Sequence, residues 1–446
     1  MAGKGREEMD RRSFLRQAGL GAAACVLPGV ANGDESNSRP PNFVVVFTDD
    51  QGYGDLGCYG REDIRTPHVD RMAAEGMKFT DFYVAAPICS PSRVALLTGS
   101  YPRRVGLADW VLRPDSRRGI HPDETTIAEM LKGRDYATMA IGKWHVGFLP
   151  PFQPQNRGFD EYFGIYHNMD KWEMKHFENG MPLKHNGRTV ERLQSPATLT
   201  ERYTKEAVRF VKENRDRPFF LYLAHTMPHV PLAVTDRWKG RSEAGLYGDV
   251  IECLDWSTDR IVETLRELNL EQDTYVIFTS DNGPATRVGS SAGPLRGRKL
   301  TTYEGGLRVP CVMWAPGRIP AGTVCREVAT TMDFMPTFAA LAGADLPGER
   351  RIDGGDIGNL MSAQSGAHSP YDAFFYHGAH GKLAGVRVGK WKLHTAKRTE
   401  LFDLENDVGE TTNVDEEHPD VVKRLKRRMK EFDRRMQEEA RPAGKA

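Results

Sequence analysis

The sequence has few cysteines, no excess of either charge and no long apolar run, and each absence excludes a class of protein. Six cysteines in 446 residues are too few for a scaffold built on disulfides. Lys and Arg together number 61, as do Asp and Glu, so net charge gives no indication of nucleic acid or an anionic membrane as partner. No run of about 20 apolar residues exists, which argues against a stable membrane span. These absences leave a globular protein that acts on a small molecule or a glycan.

The N-terminus has the pattern of an export signal. Residues 11–16 contain a twin-arginine motif, residues 18–27 are apolar, and small residues follow at 29–31. We therefore predict that residues 1–31 are a signal peptide for the twin-arginine export machinery and that the mature protein is periplasmic or extracellular. Cys25, which follows three alanines, leaves lipidation as an alternative.

The stretch from Cys89 to Gly99 places a small reactive side chain at the start of a helix. Pro91 suits a first helical turn, an apolar run follows it, and Gly99 can end the helix. Free backbone N–H groups at a helix start favour an anion, and Arg93 adds a fixed positive charge one turn later. The pattern predicts an anion-binding site around Cys89, with a buried structural cysteine as the alternative.

Acids and an amide follow two segments that read as buried strands. Asp49 and Asp50 come after the apolar run 43–47, and Asp281 and Asn282 come after the run 275–280. Ligands of open α/β sheets bind at the carboxyl ends of the strands. Three carboxylates and one amide oxygen suit Ca²⁺ or Mg²⁺ and suit zinc poorly, so we predict a calcium site here, against the alternative of a solvated turn.

Further basic and histidine side chains lie at other strand ends and in one loop. Lys143 and His145 follow the predicted strand 136–141, and we expect them to point the same way toward one anion. His225 follows the predicted strand 219–224, and Lys299 lies in a basic, Gly-rich loop. Surface groups and a satisfied core histidine are the alternatives for these residues.

The order of predicted elements indicates an α/β fold with a smaller C-terminal part. Strands alternate with helices at 66–75, 125–131, 198–214 and 250–268 over a catalytic domain of residues 40–364. Residues 150–195 lack a sustained period and are predicted to be loop. Short alternating strands and a charged helix from 419 to 439 predict a C-terminal subdomain over 365–446.

Residues 89–99 match the signature Cys-x-Pro-x-Arg-x-x-Leu-x-Thr-Gly, by which the chain resembles the type I sulfatases, including arylsulfatases. Five motifs occur in family order over about residues 40–440. The resemblance implies the alkaline phosphatase superfamily fold, with a large mixed, mostly parallel sheet sandwiched by helices and a small antiparallel C-terminal sheet with a helix. It also implies that a formylglycine-generating enzyme converts Cys89 to formylglycine. One departure is Asp135, where the family usually has glycine, and Asp tolerates the left-handed turn.

The resemblance also assigns roles to residues. It implies that residue 89 joins the oxygens of four others in binding one calcium ion; these are Asp49, Asp50, Asp281 and Asn282. It implies charge stabilisation of sulfate by Arg93, Lys143 and Lys299, and a contact of His145 with the formylglycine hydroxyl. His225 is the implied proton donor to the leaving group, and His229 is the weaker candidate.

Together these features predict a sulfuric ester hydrolase that uses a hydrated formylglycine, one hydroxyl attacking sulfur and the other permitting sulfate release. The alternatives are a phosphomonoester or phosphonate hydrolase of the same superfamily and, if Cys89 stays unmodified, an inactive glycan-binding protein. By analogy a sugar sulfate is favoured over an aryl sulfate. The expected wall of the substrate pocket consists of Trp110, His167, Trp172, His229, His377 and His380.

Overall fold

The computed structural model describes Met1 and residues 39–286 and 288–446, and Arg39–Ala446 forms one compact unit. The predicted signal peptide, including Cys25, lies outside the described residues apart from Met1. No helix among the described residues is long and apolar enough to cross a membrane.

The largest element is a sheet of ten strands. In chain order these are β1 (Asn42–Thr48), β2 (Met77–Phe79), β5 (Ala137–Lys143), β6 (Glu161–Ile165), β7 (Met181–His185), β8 (Arg188–Leu193), β9 (Phe219–Ala224), β10 (Thr274–Ser280), β11 (Cys311–Trp314) and β12 (Thr323–Cys325). Two minor pairs join β3 (Phe82–Tyr83) to β13 (Ala329–Thr330) and β4 (Arg118–Gly119) to β18 (Gly444–Lys445).

The centre of this sheet is parallel and its margins are mixed. The order is β12-β2-β11-β10-β1-β9-β5-β6-β7-β8, and the five strands from β10 to β6 run parallel. Strands β11, β7 and β8 pair antiparallel to their inner neighbours. The carboxyl ends of β10, β1, β9 and β5 therefore meet at one edge of the sheet, and the predicted mixed, mostly parallel sheet is confirmed.

Ten α-helices accompany the sheets in the described residues. They are α1 (Pro67–Glu75), α2 (Cys89–Thr98), α3 (Ile127–Lys132), α4 (Lys171–Met174), α5 (Leu199–Glu213), α6 (Gly245–Glu267), α7 (Glu304–Leu307), α8 (Phe334–Ala342), α9 (Gly358–Met361) and α10 (Pro419–Glu438). The pattern of helix starts and stops follows the sequence: α1 begins at Pro67 and stops before Gly76, and α2 stops at Gly99, whose φ is +62°.

The two faces of the sheet are buried against different helices. Along β1, Phe43, Val45 and Phe47 pack into one core with α2, α3 and α8. The alternate residues Val44 and Val46 pack into a second core with α1, α5 and α6. Because both faces are covered, the strand is apolar at successive positions rather than at every second one.

The C-terminal part forms a separate antiparallel sheet. Its strands are β14 (Phe374–His377), β15 (Leu383–Val388), β16 (Trp391–His394) and β17 (Glu400–Asp403), hydrogen-bonded in that order. Helix α10 buries Leu425, Phe432 and Met436 in the same core as α2 and α8. The predicted small sheet with a helix is confirmed.

Residues 150–195 contain regular structure that the sequence analysis did not predict. The prediction that residues 150–195 are loop is wrong, because β6, α4, β7 and β8 lie there and widen the main sheet. The strands are short and carry exposed polar residues, so they lack the apolar runs of the central strands.

Cys311 and Cys325 are both free, since β2 separates their strands.

Candidate active site

Cys89 is the first residue of α2 and is buried at 1% exposure. Every residue of this helix is buried. The backbone N–H groups of its first turn have no partner within the helix, so they need other partners at this buried position. Burial raises the pKa of the Cys89 thiol to about 11, against the opposing effect of Lys143 and Lys299. The unmodified side chain is therefore a thiol at neutral pH and not a thiolate.

Oxygen-bearing side chains converge beside Cys89 from two neighbouring strands. Asp49 and Asp50 follow β1, and Asp281 and Asn282 follow β10, with Thr48 registered against Ser280. The backbone N–H of Asp50 donates to Asp281 Oδ1 at 3.1 Å, and Asn282 Nδ2 donates to Asp50 Oδ1 at 2.8 Å. Asp50 has a φ of +71°, a left-handed conformation that is uncommon for a residue other than glycine.

Two lysines compensate the first pair of carboxylates. Lys143, the last residue of β5, donates from Nζ to Asp49 Oδ2 at 2.6 Å. Lys299 Nζ lies 2.6 and 2.8 Å from the two oxygens of Asp50 and 3.7 Å from Cys89 Sγ. Burial alone would lower the pKa values of both lysines, but the nearby carboxylates outweigh it and raise them.

Arg93 compensates the third carboxylate from inside α2. Its Nη2 donates to Asp281 Oδ2 at 2.8 Å, and its Nη1 donates to the backbone oxygen of Lys143 at 3.1 Å. The guanidinium also lies 5.3 Å from the centre of the Phe47 ring. Arg93 is fully buried, so this ion pair fixes the helix that bears Cys89 against β10.

Two of the converging oxygens have no hydrogen-bond partner among the residues that the structure describes. Asp49 Oδ1 and Asn282 Oδ1 are both buried and unpaired, although each neighbouring atom of the same side chain is engaged. A buried acceptor without a partner is unfavourable by about 1–3 kcal/mol. Such a set of carboxylate and amide oxygens is the ligand chemistry of calcium, so the residues present fit a bound Ca²⁺.

His145 lies two residues beyond Lys143 but faces different groups. It has a φ of +59° and is fully buried, and its Nε2 lies 3.6 Å from Glu173 Oε1. Lys143 instead contacts Asp49, so the two side chains have different protein partners, and their joint action on one anion stays a prediction. The left-handed backbone at His145 ends the alternation of the strand and turns its side chain toward α4.

The structure brings His229 to the site and not His225. His225 continues β9 through its N–H to the Phe47 oxygen at 2.9 Å, and its Nε2 lies 3.2 Å from Ser257 Oγ on α6. It is fully buried and lines no part of the pocket at Cys89. His229 Nε2 instead lies 3.7 Å from Asp50 Oδ2, and its ring forms part of that pocket. The prediction of His225 as proton donor is therefore not supported by its position.

The pocket at Cys89 has a volume of about 400 Å³. Three members of the predicted wall line it, namely Trp110, Trp172 and His229. The other three do not: His167 lines a neighbouring cavity of about 190 Å³, His377 packs against Tyr101, and His380 stacks on the outside of Trp110. Trp172 is 66% exposed and stands at the rim, which suits a contact with a large substrate.

Sequence reasoning missed several residues of the wall. They are Ile88, Val111, Arg113, Asn168, Asp170, Glu173, Lys175 and Leu300. Most belong to segments without a periodic pattern, and no local signal placed them at this pocket. The one local signal that could have located the helix α4 is its N-cap residue, Asp170. Its Oδ1 accepts hydrogen bonds from the N–H groups of Trp172 and Glu173 at 2.8 and 3.1 Å.

This arrangement of cations and metal-competent oxygens around one small side chain defines a hydrolase for anionic esters. Comparison with known proteins agrees: the family profile described as Sulfatase matches residues 41–344. A second profile, described as N-sulphoglucosamine sulphohydrolase, C-terminal, matches residues 298–435. The chain belongs to the sulfatase family, which confirms the type I sulfatase resemblance.

Individual relatives cover most of the chain. It is 38% identical over 432 residues to N-acetylgalactosamine-6-sulfatase of Sus scrofa, covering 88% of this chain and 81% of the relative. It is 38% identical over 401 residues to arylsulfatase A of Homo sapiens, covering 84% and 78%. Among solved structures, Ps i-CgsB in complex with k-i-k-neocarrahexaose superposes with a TM-score of 0.79 at 32% identity, covering 88% and 93%. The chain is thus an enzyme of the sulfuric ester hydrolase class.

Proposed function

We propose that the protein hydrolyses sulfate monoesters of sulfated carbohydrates and releases inorganic sulfate. The observation that carries this proposal is the pair of oxygens on Asp49 and Asn282 that lie beside Cys89 without a hydrogen-bond partner among the described residues. Three cations accompany them, of which Arg93 and Lys143 are buried and Lys299 is partly exposed. The choice of a carbohydrate rests on similarity to N-acetylgalactosamine-6-sulfatase and to the structure of Ps i-CgsB in complex with k-i-k-neocarrahexaose. The exposed Trp172 at the pocket rim supports it, because sugar rings stack on aromatic faces.

We infer that Cys89 acts after conversion to formylglycine. The buried thiol, with its raised pKa of about 11, is a poor nucleophile at neutral pH. A hydrated aldehyde at this position supplies one hydroxyl for attack on sulfur and a second that allows the sulfate to leave. On the family resemblance, His145, whose buried ring is neutral at physiological pH, is proposed to hold that second hydroxyl. Maturation then requires a formylglycine-generating enzyme.

A single calcium ion is proposed to bind the side-chain oxygens at the ends of β1 and β10, together with residue 89. When bound, it supplies a fixed positive charge that draws the sulfate oxygens to the site. The side-chain charges of the site cancel without the ion. The three carboxylates of Asp49, Asp50 and Asp281 face three cations, which are Arg93, Lys143 and Lys299. A bound divalent cation therefore leaves a net positive pocket for an anionic ester. The three cations also stabilise charge that develops on the sulfate in the transition state.

We propose His229 as the proton donor to the leaving alcohol. Its side chain lines the pocket at Cys89, while His225 is enclosed between β9 and α6. A general acid must reach the departing oxygen, so geometry decides between the two histidines before pKa does.

Export through the twin-arginine machinery to the periplasm or the cell exterior remains part of the proposal, on the strength of residues 11–31. Residues 40–364 and 365–446 remain our proposed catalytic domain and C-terminal subdomain.

Release of sulfate from a sulfated oligosaccharide, measured by ion chromatography with calcium present, tests the proposal. The same reaction is run with the matching phosphorylated sugar, because a phosphomonoesterase would favour that substrate. We expect sulfate release that depends on conversion of Cys89 and exceeds phosphate release. If the converted enzyme prefers the phosphate ester, the proposed substrate class is wrong. If converted protein binds the oligosaccharide and releases nothing, the protein is a glycan-binding homologue.

A further inference from the structure

A second cluster of metal-ligating side chains lies next to the oxygens at β1 and β10. His145, His167 and Glu173 each offer one donor atom, and these three atoms lie within 4.8 Å of one another. All three residues are buried, with exposures of 1, 4 and 5%. They come from different segments, the end of β5, the segment after β6 and the helix α4, so the fold and not local sequence brings them together.

The donor atoms in this cluster are not paired by hydrogen bonds. Glu173 Oε1 lies 3.6 Å from His145 Nε2, and Glu173 Oε2 lies 3.4 Å from His167 Nδ1. In the described part of the chain no hydrogen-bond partner exists for four buried atoms of the cluster, namely both ring nitrogens of His145, Nδ1 of His167 and Oε2 of Glu173. Each such group is unfavourable by about 1–3 kcal/mol, so three residues that face one another in this way indicate a ligand between them.

Two of the separations are close to those of ligands around one small cation, and all three donor atoms lie within 4.8 Å of one another. Zinc binds imidazole nitrogen and carboxylate oxygen at about 2.0–2.2 Å, and the edge of such a tetrahedron is about 3.3–3.5 Å. The observed 3.4 and 3.6 Å run to the two different oxygens of Glu173; they are close to that edge and too long for good hydrogen bonds. Two imidazoles and one carboxylate are also the donor set of open zinc sites, which keep a fourth position for water or substrate.

The charges and protonation of the cluster suit a cation. Both imidazole rings are buried, and burial favours the neutral ring, whose free lone pair can bind a metal. Lys143, two residues before His145, has its Nζ paired with Asp49 at 2.6 Å. Glu173 lines the pocket at Cys89, which gives solvent a route to the open side of the cluster.

We propose that His145, His167 and Glu173 form a second metal site, separate from the calcium ligands, that binds Zn²⁺ or a similar borderline divalent cation and inhibits the enzyme. A metal held there occupies His145 and removes it from residue 89. Metal binding itself does not depend on the proposed function, whereas the inhibition rests on the role of His145 in that function.

The direct test is zinc binding to the full protein saturated with calcium, measured by equilibrium dialysis and metal analysis. We expect one zinc per chain in addition to calcium. Glu173→Gln and His167→Asn remove one ligand each with little change in volume, and we expect each to weaken zinc binding by more than about 100-fold. His176→Asn is the control, because His176 is an exposed histidine on the same segment and should leave zinc binding unchanged.

Cobalt gives a second measurement that does not use activity. Co²⁺ at a four-coordinate nitrogen and oxygen site absorbs strongly in the visible range, and we expect this absorption from the wild type and its loss in Glu173→Gln. Zinc binding that survives both ligand substitutions would overturn the proposal, since it would place the metal elsewhere, for example at Cys89 and His229. Absence of zinc binding by the wild type would overturn it too.

The inhibitory consequence is tested by titrating zinc into the sulfatase assay at constant calcium. We expect inhibition of the wild type and of His176→Asn at the zinc concentration that fills the site, and a shift to higher zinc in His167→Asn. If the untreated wild type releases no sulfate, the proposed function fails while dialysis still decides the metal site. If zinc fills the site and sulfate release continues unchanged, the inhibitory role is wrong.

Discussion

The two halves of the pocket at Cys89 are built in different ways. On one side, Asp49, Asp281 and Lys143 stand at the ends of three parallel strands of the main sheet, fully buried and fixed by backbone pairing. On the other, Trp172 and Glu173 come from a four-residue helix in a segment of short strands and turns. The comparison suggests that the chemical step depends on the strand ends and the choice of substrate on the α4 side.

The largest effect is expected at the residue that both halves surround. Cys89→Ala should remove turnover completely, because it removes the only proposed nucleophile. The buried position accepts a small side chain, so the melting temperature should stay within a few degrees of wild type. Sulfate release and thermal unfolding are measured on the same preparation. Measurable turnover by a well-folded Cys89→Ala protein would refute the assignment.

The next effect concerns the strand-end half. Asp281→Ala removes a proposed calcium ligand and leaves the buried Arg93 guanidinium without its 2.8 Å partner. We expect loss of activity and calcium, and destabilisation of about 3–5 kcal/mol from the unpaired charge. Asp281→Asn separates these effects, since it keeps the shape and a hydrogen-bond acceptor for Arg93. Calcium content and denaturant unfolding are the measurements, and normal calcium content in both variants would mean that Asp281 is not a ligand.

A third prediction separates His229 from His225. His229→Asn should slow hydrolysis of a sugar sulfate by about 10²–10⁴-fold and that of nitrophenyl sulfate far less, because nitrophenolate leaves without a proton. His225→Asn is the matched control, and we expect it to change both substrates by the same factor. The comparison uses ratios of kcat/KM. Equal losses on both substrates for His229→Asn would remove it as the general acid.

The smallest effect is expected at the rim. Trp172→Ala removes an exposed aromatic face, worth about 0.5–1.5 kcal/mol, which is roughly a 2- to 10-fold rise in KM for a sulfated oligosaccharide. Nitrophenyl sulfate is too small to reach the rim, and its KM should not change. A Trp172→Phe variant should recover most of the oligosaccharide affinity. Equal changes in KM for both substrates would show that Trp172 also affects the strand-end half of the site around Cys89.

The same contrast explains how much of the site was predictable. Asp49, Asp50, Asp281 and Asn282 follow apolar runs, and parallel strands bring such ends together wherever the sheet forms. Asp135 likewise has the left-handed conformation expected of it, with a φ of +62°. Local pattern therefore predicted the strand-end half and the positions of most of its charges.

The other half depends on contacts that local sequence does not encode. His225 and His229 both follow β9, and only packing against α6 decides that the first is enclosed and the second faces the pocket. Glu173 meets His145 and His167 through three separate segments, none of which has a periodic pattern. The strands at 161–193 were missed for the same reason, since they are short and partly exposed.

The most direct test of the account measures sulfate release against the fraction of residue 89 that is converted to formylglycine. Preparations made with increasing amounts of formylglycine-generating enzyme give a series of fractions, determined by mass spectrometry of the peptide that contains residue 89. We predict that turnover per chain rises in proportion to this fraction and extrapolates to zero for unconverted Cys89. Turnover that is independent of the converted fraction would contradict the account.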